Sequence, residues 1–148
     1  MKALLQRVDE ASVSVGGKDV GRIGNGLVVF VGVENGDTEK DVSYITDKTV
    51  DLRIFTDTAG KFNFSCRDIH GSILIISQFT LLADTRHGRR PSFTNAAAPN
   101  TAEHYFNMLV ERIRATGLPV STGVFQSHMM VEIHNNGPVT IMLDSRER

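Results

Sequence analysis

Two short runs in the chain are apolar at consecutive positions, Leu27-Val28-Val29-Phe30-Val31 and Ile73-Leu74-Ile75-Ile76, the second bounded by Ser72 and Ser77. Both are rich in β-branched side chains and too short for a globular helix. Neither alternates polar with apolar, as a strand with one wet face does. They predict core strands, the first buried on both faces, so the remaining chain has to cover a sheet. A length of 148 residues with 41% hydrophobic and 22% charged side chains has the ordinary globular balance and fits one domain over 1–148.

The cover is readable as two helices. Thr38-Glu39-Lys40-Asp41 has the form of a capping box, and Val42, Ile45, Thr49 and Leu52 follow at helical spacing, which predicts a helix from Thr38 to Leu52. Thr101 is the expected cap of a second helix with Ala102, Tyr105, Phe106, Leu109 and Ile113 on its apolar face, stopped by Gly117 and Pro119. Ala3 to Val15 alternates imperfectly and ends at Gly16-Gly17, a strand entering a hairpin. A further strand is expected over Lys61 to Cys66, a long polar loop over Asp84 to Asn100, and a strand-rich tail over Val120 to Leu143 interrupted at Asn135-Asn136-Gly137-Pro138. The fold class that results is α+β, a single domain whose β-sheet forms a barrel-like or sandwich core covered by two helices.

Composition narrows the function classes. No apolar run approaches the roughly 20 residues of a membrane span, and the start MKALLQRVDE lacks the apolar stretch of a secretory signal, so no membrane partner and a cytoplasmic location are expected. The single cysteine, Cys66, excludes an internal disulfide and has no ligand-spaced companion. Net charge is -1, so any contact with nucleic acid has to be local; Arg86-His87-Gly88-Arg89-Arg90 is the one dense basic cluster, and taken alone such a cluster is more often a solvated loop than an RNA contact.

The usual catalytic signatures are missing: no Gly-x-Ser-x-Gly elbow, no His-Glu-x-x-His, no phosphate loop, and five histidines without zinc-site spacing, so neither metal nor cofactor is expected. Two polar interruptions of apolar strands stand out instead. Ser77-Gln78-Phe79-Thr80 ends the second core run, and its side chains and amides are of the type that orient an ester and hold an oxyanion; a plain strand end is the other reading. Thr80 is a nucleophile by type, but the motif contains no base to activate it. Asn136-Gly137-Pro138 reads as a turn, or, with the Gly-Pro bond cis, as two parallel carbonyls able to accept from an α-amine.

Taken together, Ser77-Gln78-Phe79-Thr80-Leu81 and Gly137-Pro138-Val139-Thr140 resemble the signatures of the D-aminoacyl-tRNA deacylase family of bacterial and eukaryotic type. The likeness extends to Leu5-Gln6-Arg7-Val8, Arg90-Pro91-Ser92-Phe93 and Phe125-Gln126-Ser127-His128-Met129. The resemblance implies hydrolysis of the ester of tRNA carrying a D-amino acid, or glycine, by a homodimer in which the Gly137-Pro138 of one chain enters the site of the other. It further implies that Gly137 and Pro138 hold the α-amine and reject an L side chain, and that Arg7 fixes the partner's Gly-Pro loop. In the same way Phe125 and Met129 receive the terminal adenine, Ser77, Gln78 and Phe79 orient the ester with Thr80 in support, and the ribose 2′-hydroxyl takes part in the chemistry. A non-catalytic RNA-binding module resting on Arg86, Arg89 and Arg90, and a purely structural dimerising domain, are the competing classes.

Overall fold

A computed structural model describes residues 1–148. Its spine is β1 (Lys2–Val15), which along one edge pairs antiparallel with β8 (Met130–Asp144). The other edge is shared: β3 (Gly26–Gly32) takes Lys2 to Val8, and β2 (Lys18–Ile23) takes Ala11 to Val15 after the Gly16-Gly17 turn. Parallel pairing then carries the sheet from β3 to β6 (Ser72–Ser77) and from β6 to β7 (Val120–Thr122). At β7 the sheet returns towards β2, where the Ser121 hydroxyl donates to the Arg22 carbonyl at 3.3 Å. The sheet is a nearly closed barrel.

The parallel steps require crossovers, and the two helices occur in them. Helix α1 (Glu39–Asp51) follows β3 and α2 (Pro99–Arg114) follows β6, and they lie together on one face of the sheet, with the Arg112 guanidinium reaching Glu39 at 2.9 Å. This arrangement explains the two apolar runs residue by residue. Leu27, Val29, Val31, Ile73 and Ile75 face the helices and join Val42, Ile45, Phe106, Leu109 and Ile113 in the larger core. Val28, Leu74 and Ile76 point the other way, into the barrel, with Val8, Ala11, Val13 and Ile23. Strands between two dry layers have no reason to alternate.

The imperfect alternation of β1 also has a cause. Ala3 and Leu5 face the helices, yet Ala11 and Val13, at positions of the same parity, face the barrel interior. Between them the pairing with β8 shifts twice, from Gln6↔Thr140 to Val8↔Asn135 and again to Ala11↔Ile133. The second shift places one more residue on β1 than on β8, a bulge that exchanges the faces.

Several boundaries differ from the expectation. Thr38 caps α1 as expected, its backbone N–H donating to the Asp41 carboxylate at 2.8 Å, but Leu52 lies just past the helix end. Helix α2 begins at Pro99 with Ala98 at the cap position, so Thr101 lies inside the first turn and caps nothing. Proline lacks the N–H that a first turn leaves unpaired, which suits it to this start. Of Lys61 to Cys66 only Phe62–Phe64 (β5) is a strand, paired with Phe55–Thr56 (β4) in a small separate hairpin. Asn136-Gly137-Pro138 is no turn between strands: it is an outward bulge within β8. No helix is long and apolar enough to cross a membrane.

Candidate active site

At the carboxyl ends of the parallel strands β3 and β6 the sheet opens into a cavity of about 590 Å³. Strand β6 delivers the first motif to it. Its apolar run ends at Ser77, the Gln78 N–H continues the ladder by donating to the Val31 carbonyl at 2.8 Å, and a 3-10 turn over Phe79–Leu82 then carries the chain away. Ser77, Gln78 and Phe79 all line the cavity. Phe79 is 56% exposed, its ring edge-on to that of Phe93 with centroids 4.9 Å apart. Thr80 is exposed, does not line the cavity, and its hydroxyl accepts from the Gln78 amide. With no base bonded to it, Thr80 is a weak nucleophile where it stands.

The opposite wall comes from the segment between β7 and β8. Phe125 leans on Phe106 of α2 with centroids 6.2 Å apart, and Met129 packs against the barrel core. A Cβ on Gly123 would lie 2.5 Å from the Met129 sulfur, so only glycine leaves the methionine its place. Both line the cavity, and a flat ring and a polarisable thioether are surfaces suited to a stacked base. Between them Gln126, Ser127 and His128 add polar lining, with Gln126 in the left-handed backbone region at φ 60°. These three, and Ala96 and Ala97 on the rim, were not singled out as site residues from the sequence. An uncommon backbone angle at a glutamine has no signature in composition or spacing.

The second motif is held elsewhere. Where β1 advances from Gln6 to Val8, β8 runs from Thr140 to Asn135, so Asn136, Gly137, Pro138 and Val139 bulge out opposite the single residue Arg7. The Gly137–Pro138 peptide is cis and both residues are exposed. Side chains brace the bulge from three directions. Asn135 accepts from the Val139 N–H at 3.1 Å and donates to the Thr140 hydroxyl at 2.9 Å, Asn136 donates to the Asp9 carboxylate at 2.7 Å, and the Arg7 guanidinium donates to the carbonyls of Asn136 at 3.1 Å and Ile54 at 2.8 Å. Arg7 also stands 5.6 Å from the centre of the Phe62 ring. A Cβ on Gly137 would meet Arg7 Nη2 at 2.9 Å, and the φ of 129° there also favours glycine.

Within one chain, therefore, Ser77, Gln78, Phe79, Phe125 and Met129 share a cavity, while Arg7, Gly137, Pro138 and Thr80 lie outside its lining. The resemblance has Arg7 gripping a partner's Gly-Pro loop; in the structure it grips its own. The groups with displaced proton affinity are also outside the cavity: burial pushes the Cys66 thiol up to about 12, so it stays protonated. No three His, Cys, Asp or Glu side chains gather as metal ligands.

The sequence profile of the D-Tyr-tRNA(Tyr) deacylase family matches residues 4–144. The chain belongs to that family. As a member of the D-Tyr-tRNA(Tyr) deacylases it is an enzyme, a hydrolase of the D-aminoacyl-tRNA deacylase class. D-aminoacyl-tRNA deacylases of Dehalococcoides mccartyi and Geobacter sulfurreducens are 54% and 51% identical to it, each over 100% of this chain and 97% of the relative. Among solved structures, a c-Myc DNA unwinding element binding protein superposes with a TM-score of 0.92 at 40% identity, over 97% of this chain and 98% of its own. A probable eukaryotic D-amino acid tRNA deacylase shares the fold, with a TM-score of 0.82 at 17% identity over 96% and 97% of the two chains.

Proposed function

We propose that this deacylase hydrolyses the ester joining a D-amino acid, or glycine, to the 3′ end of tRNA, in the cytoplasm, and that its working unit is a homodimer. The observation that carries the dimer is the separation of the two motifs. Ser77, Gln78 and Phe79 line a cavity, whereas Gly137 and Pro138 project from a braced bulge outside it. A site that uses both needs the bulge of a second copy.

In this reading the terminal adenine lies between Phe125 and Met129, which sets the aminoacyl ester beside Ser77, Gln78 and Phe79. The partner's Gly137 and Pro138 carbonyls accept from the α-amine and occupy the space an L side chain would need. A D side chain points away, and glycine has nothing to reject. Discrimination by exclusion asks for a rigid obstacle. The hydrogen bonds from Arg7, Asn135 and Asn136 give the bulge that rigidity, so Arg7 serves the partner's site by bracing its own chain's loop. The cavity wall contributes orientation and hydrogen-bond donors rather than a nucleophile. The substrate's 2′-hydroxyl, adjacent to the ester, supplies the missing reactive group.

The decisive assay compares D-tyrosyl-, L-tyrosyl- and glycyl-tRNA with and without a chelator. We expect fast turnover of the D and glycyl esters, little of the L ester, and no chelator effect. Equal rates on D and L esters would refute exclusion by the bulge, and loss of activity with chelator would expose a metal site.

A further inference from the structure

The arginine-rich segment is joined through Phe93 to a wall of the cavity, and its three arginines are not equivalent. Asp84 and Ser92 exchange both backbone hydrogen bonds, at 2.8 and 2.9 Å, closing the chain between them into a loop in which every residue from Thr85 to Pro91 is exposed. The base of that loop is fixed to the site. Phe93, next after Ser92, packs on Phe79, and Ala96 and Ala97 a few residues on line the cavity itself.

Arg86 is committed to the loop. Its Nε and Nη2 donate to the two Asp84 carboxylate oxygens at 2.9 and 2.6 Å, and its backbone N–H donates to the same carboxylate at 3.0 Å. These hydrogen bonds from Arg86 hold the Asp84 carboxyl well below the usual carboxylate range. The pair is locally neutral. Arg89 and Arg90, beside Gly88 with its φ of 70°, form neither an ion pair nor a side-chain hydrogen bond and carry two uncompensated charges at the tip. In a chain of net charge -1, a locally positive tip on a loop rooted at the cavity wall is where a polyanion would be engaged.

We infer that Arg89 and Arg90 bind backbone phosphates of the tRNA acceptor end, and that Arg86 with Asp84 is the clasp that presents them. This rests on the cavity receiving the terminal nucleotide, because only then do the neighbouring phosphates pass the rim. The contacts are to backbone, so they hold tRNA without reading its sequence.

The test measures binding of uncharged tRNA over a range of salt. Arg89→Ala and Arg90→Ala should each make the slope of log K against log salt shallower by about one unit, so that the double variant's loss of affinity relative to wild type is about tenfold larger at about 50 mM than at about 200 mM salt. The double variant Asp84→Asn/Arg86→Gln, which removes the clasp without changing net charge, should weaken binding at every salt concentration while leaving the slope as it is, because both tip charges remain but are no longer held in place. A kinetic arm compares D-tyrosyl-tRNA with D-tyrosyl-adenosine, an ester lacking the phosphates. The ratio of kcat/KM for the two should fall about tenfold in Arg89→Ala/Arg90→Ala, by the same counterion accounting. An unchanged slope and an unchanged ratio would overturn the assignment, as would a larger slope change for the clasp variant than for the tip. Should the wild-type chain hydrolyse neither ester, the deacylase reading fails, while the salt slopes still decide the arginines.

Discussion

The two signature motifs are positioned by opposite kinds of force. Ser77-Gln78-Phe79 is the end of a strand whose preceding residues, Ile75 and Ile76, are completely or almost completely buried, so its place is set by the packing of two apolar layers. Gly137-Pro138 lies on a half-exposed strand, in a bulge held by hydrogen bonds from Arg7, Asn135 and Asn136. Packing spreads its support over many contacts, each small. A polar brace concentrates it in a few atoms, so single side chains matter more there. If the proposed reading holds, the deacylase anchors the wall that orients its ester in the core and leaves the exposed selector to local geometry.

The largest stability effect should come from the packed side. Ile75→Ala removes a fully buried side chain from the larger core and should cost about 2–5 kcal/mol of unfolding free energy in denaturant titrations. Well below the melting transition, D-tyrosyl-tRNA turnover per folded molecule should change little, because Ser77 is still tied into the ladder through Gln78 and Val31. A loss of turnover without a matching loss of stability would break the comparison, since the motif would then depend on one core side chain rather than on the layer.

The polar side should behave in reverse. Arg7→Ala leaves the Asn136 and Ile54 carbonyls without their donor and should cost roughly 1–3 kcal/mol, chiefly at the part-buried Ile54 oxygen because water reaches the exposed Asn136 oxygen, and less than the core cavity. Its effect on function should be the greater one, with the preference for D over L esters falling as the bulge loosens. Arg7→Lys should recover part of this, because an ammonium can donate to a carbonyl but lacks the planar fork that reaches two at once. If Arg7→Ala loses stability yet keeps full chiral preference, the bulge is braced sufficiently by Asn135 and Asn136.

The same division explains what was legible in the sequence. Features set by local chemistry were readable: the capping box at Thr38, the apolar spacing of Val42 and Ile45, and the unbroken runs of β3 and β6. Features set by pairing across the sheet were not. Nothing local tells β1 to exchange faces after Val8, because that depends on its register with β8. The bulge at Gly137 likewise looks like a turn until β1 is laid beside it. The cavity has a third origin, since Ala96, Ala97, Gln126 and Ser127 become neighbours only when α2 and the segment after β7 close over the ends of β3 and β6. Only the family resemblance implied that one chain would hold its two motifs apart, since it sends Gly137 and Pro138 into the site of a second copy.

The smallest expected effect discriminates between the braces themselves. Asn135 is half-buried and works within the bulge, accepting from the Val139 N–H and donating to Thr140, so Asn135→Ala orphans a backbone donor on the short path through Gly137 and Pro138. That should cost about 1 kcal/mol. Asn136 reaches outward to Asp9, and both residues are exposed, so water replaces the bond when Asn136→Ala removes it, and the change should stay within about 0.5 kcal/mol. The Asn136 backbone carbonyl, which Arg7 uses, survives that substitution. Chiral preference should therefore fall measurably for Asn135→Ala and hardly at all for Asn136→Ala, as read from paired D- and L-tyrosyl-tRNA rates. The opposite order would mean that the bulge is steered from its solvent side through Asp9, and Arg7 would then be a support for the strand rather than for the selector.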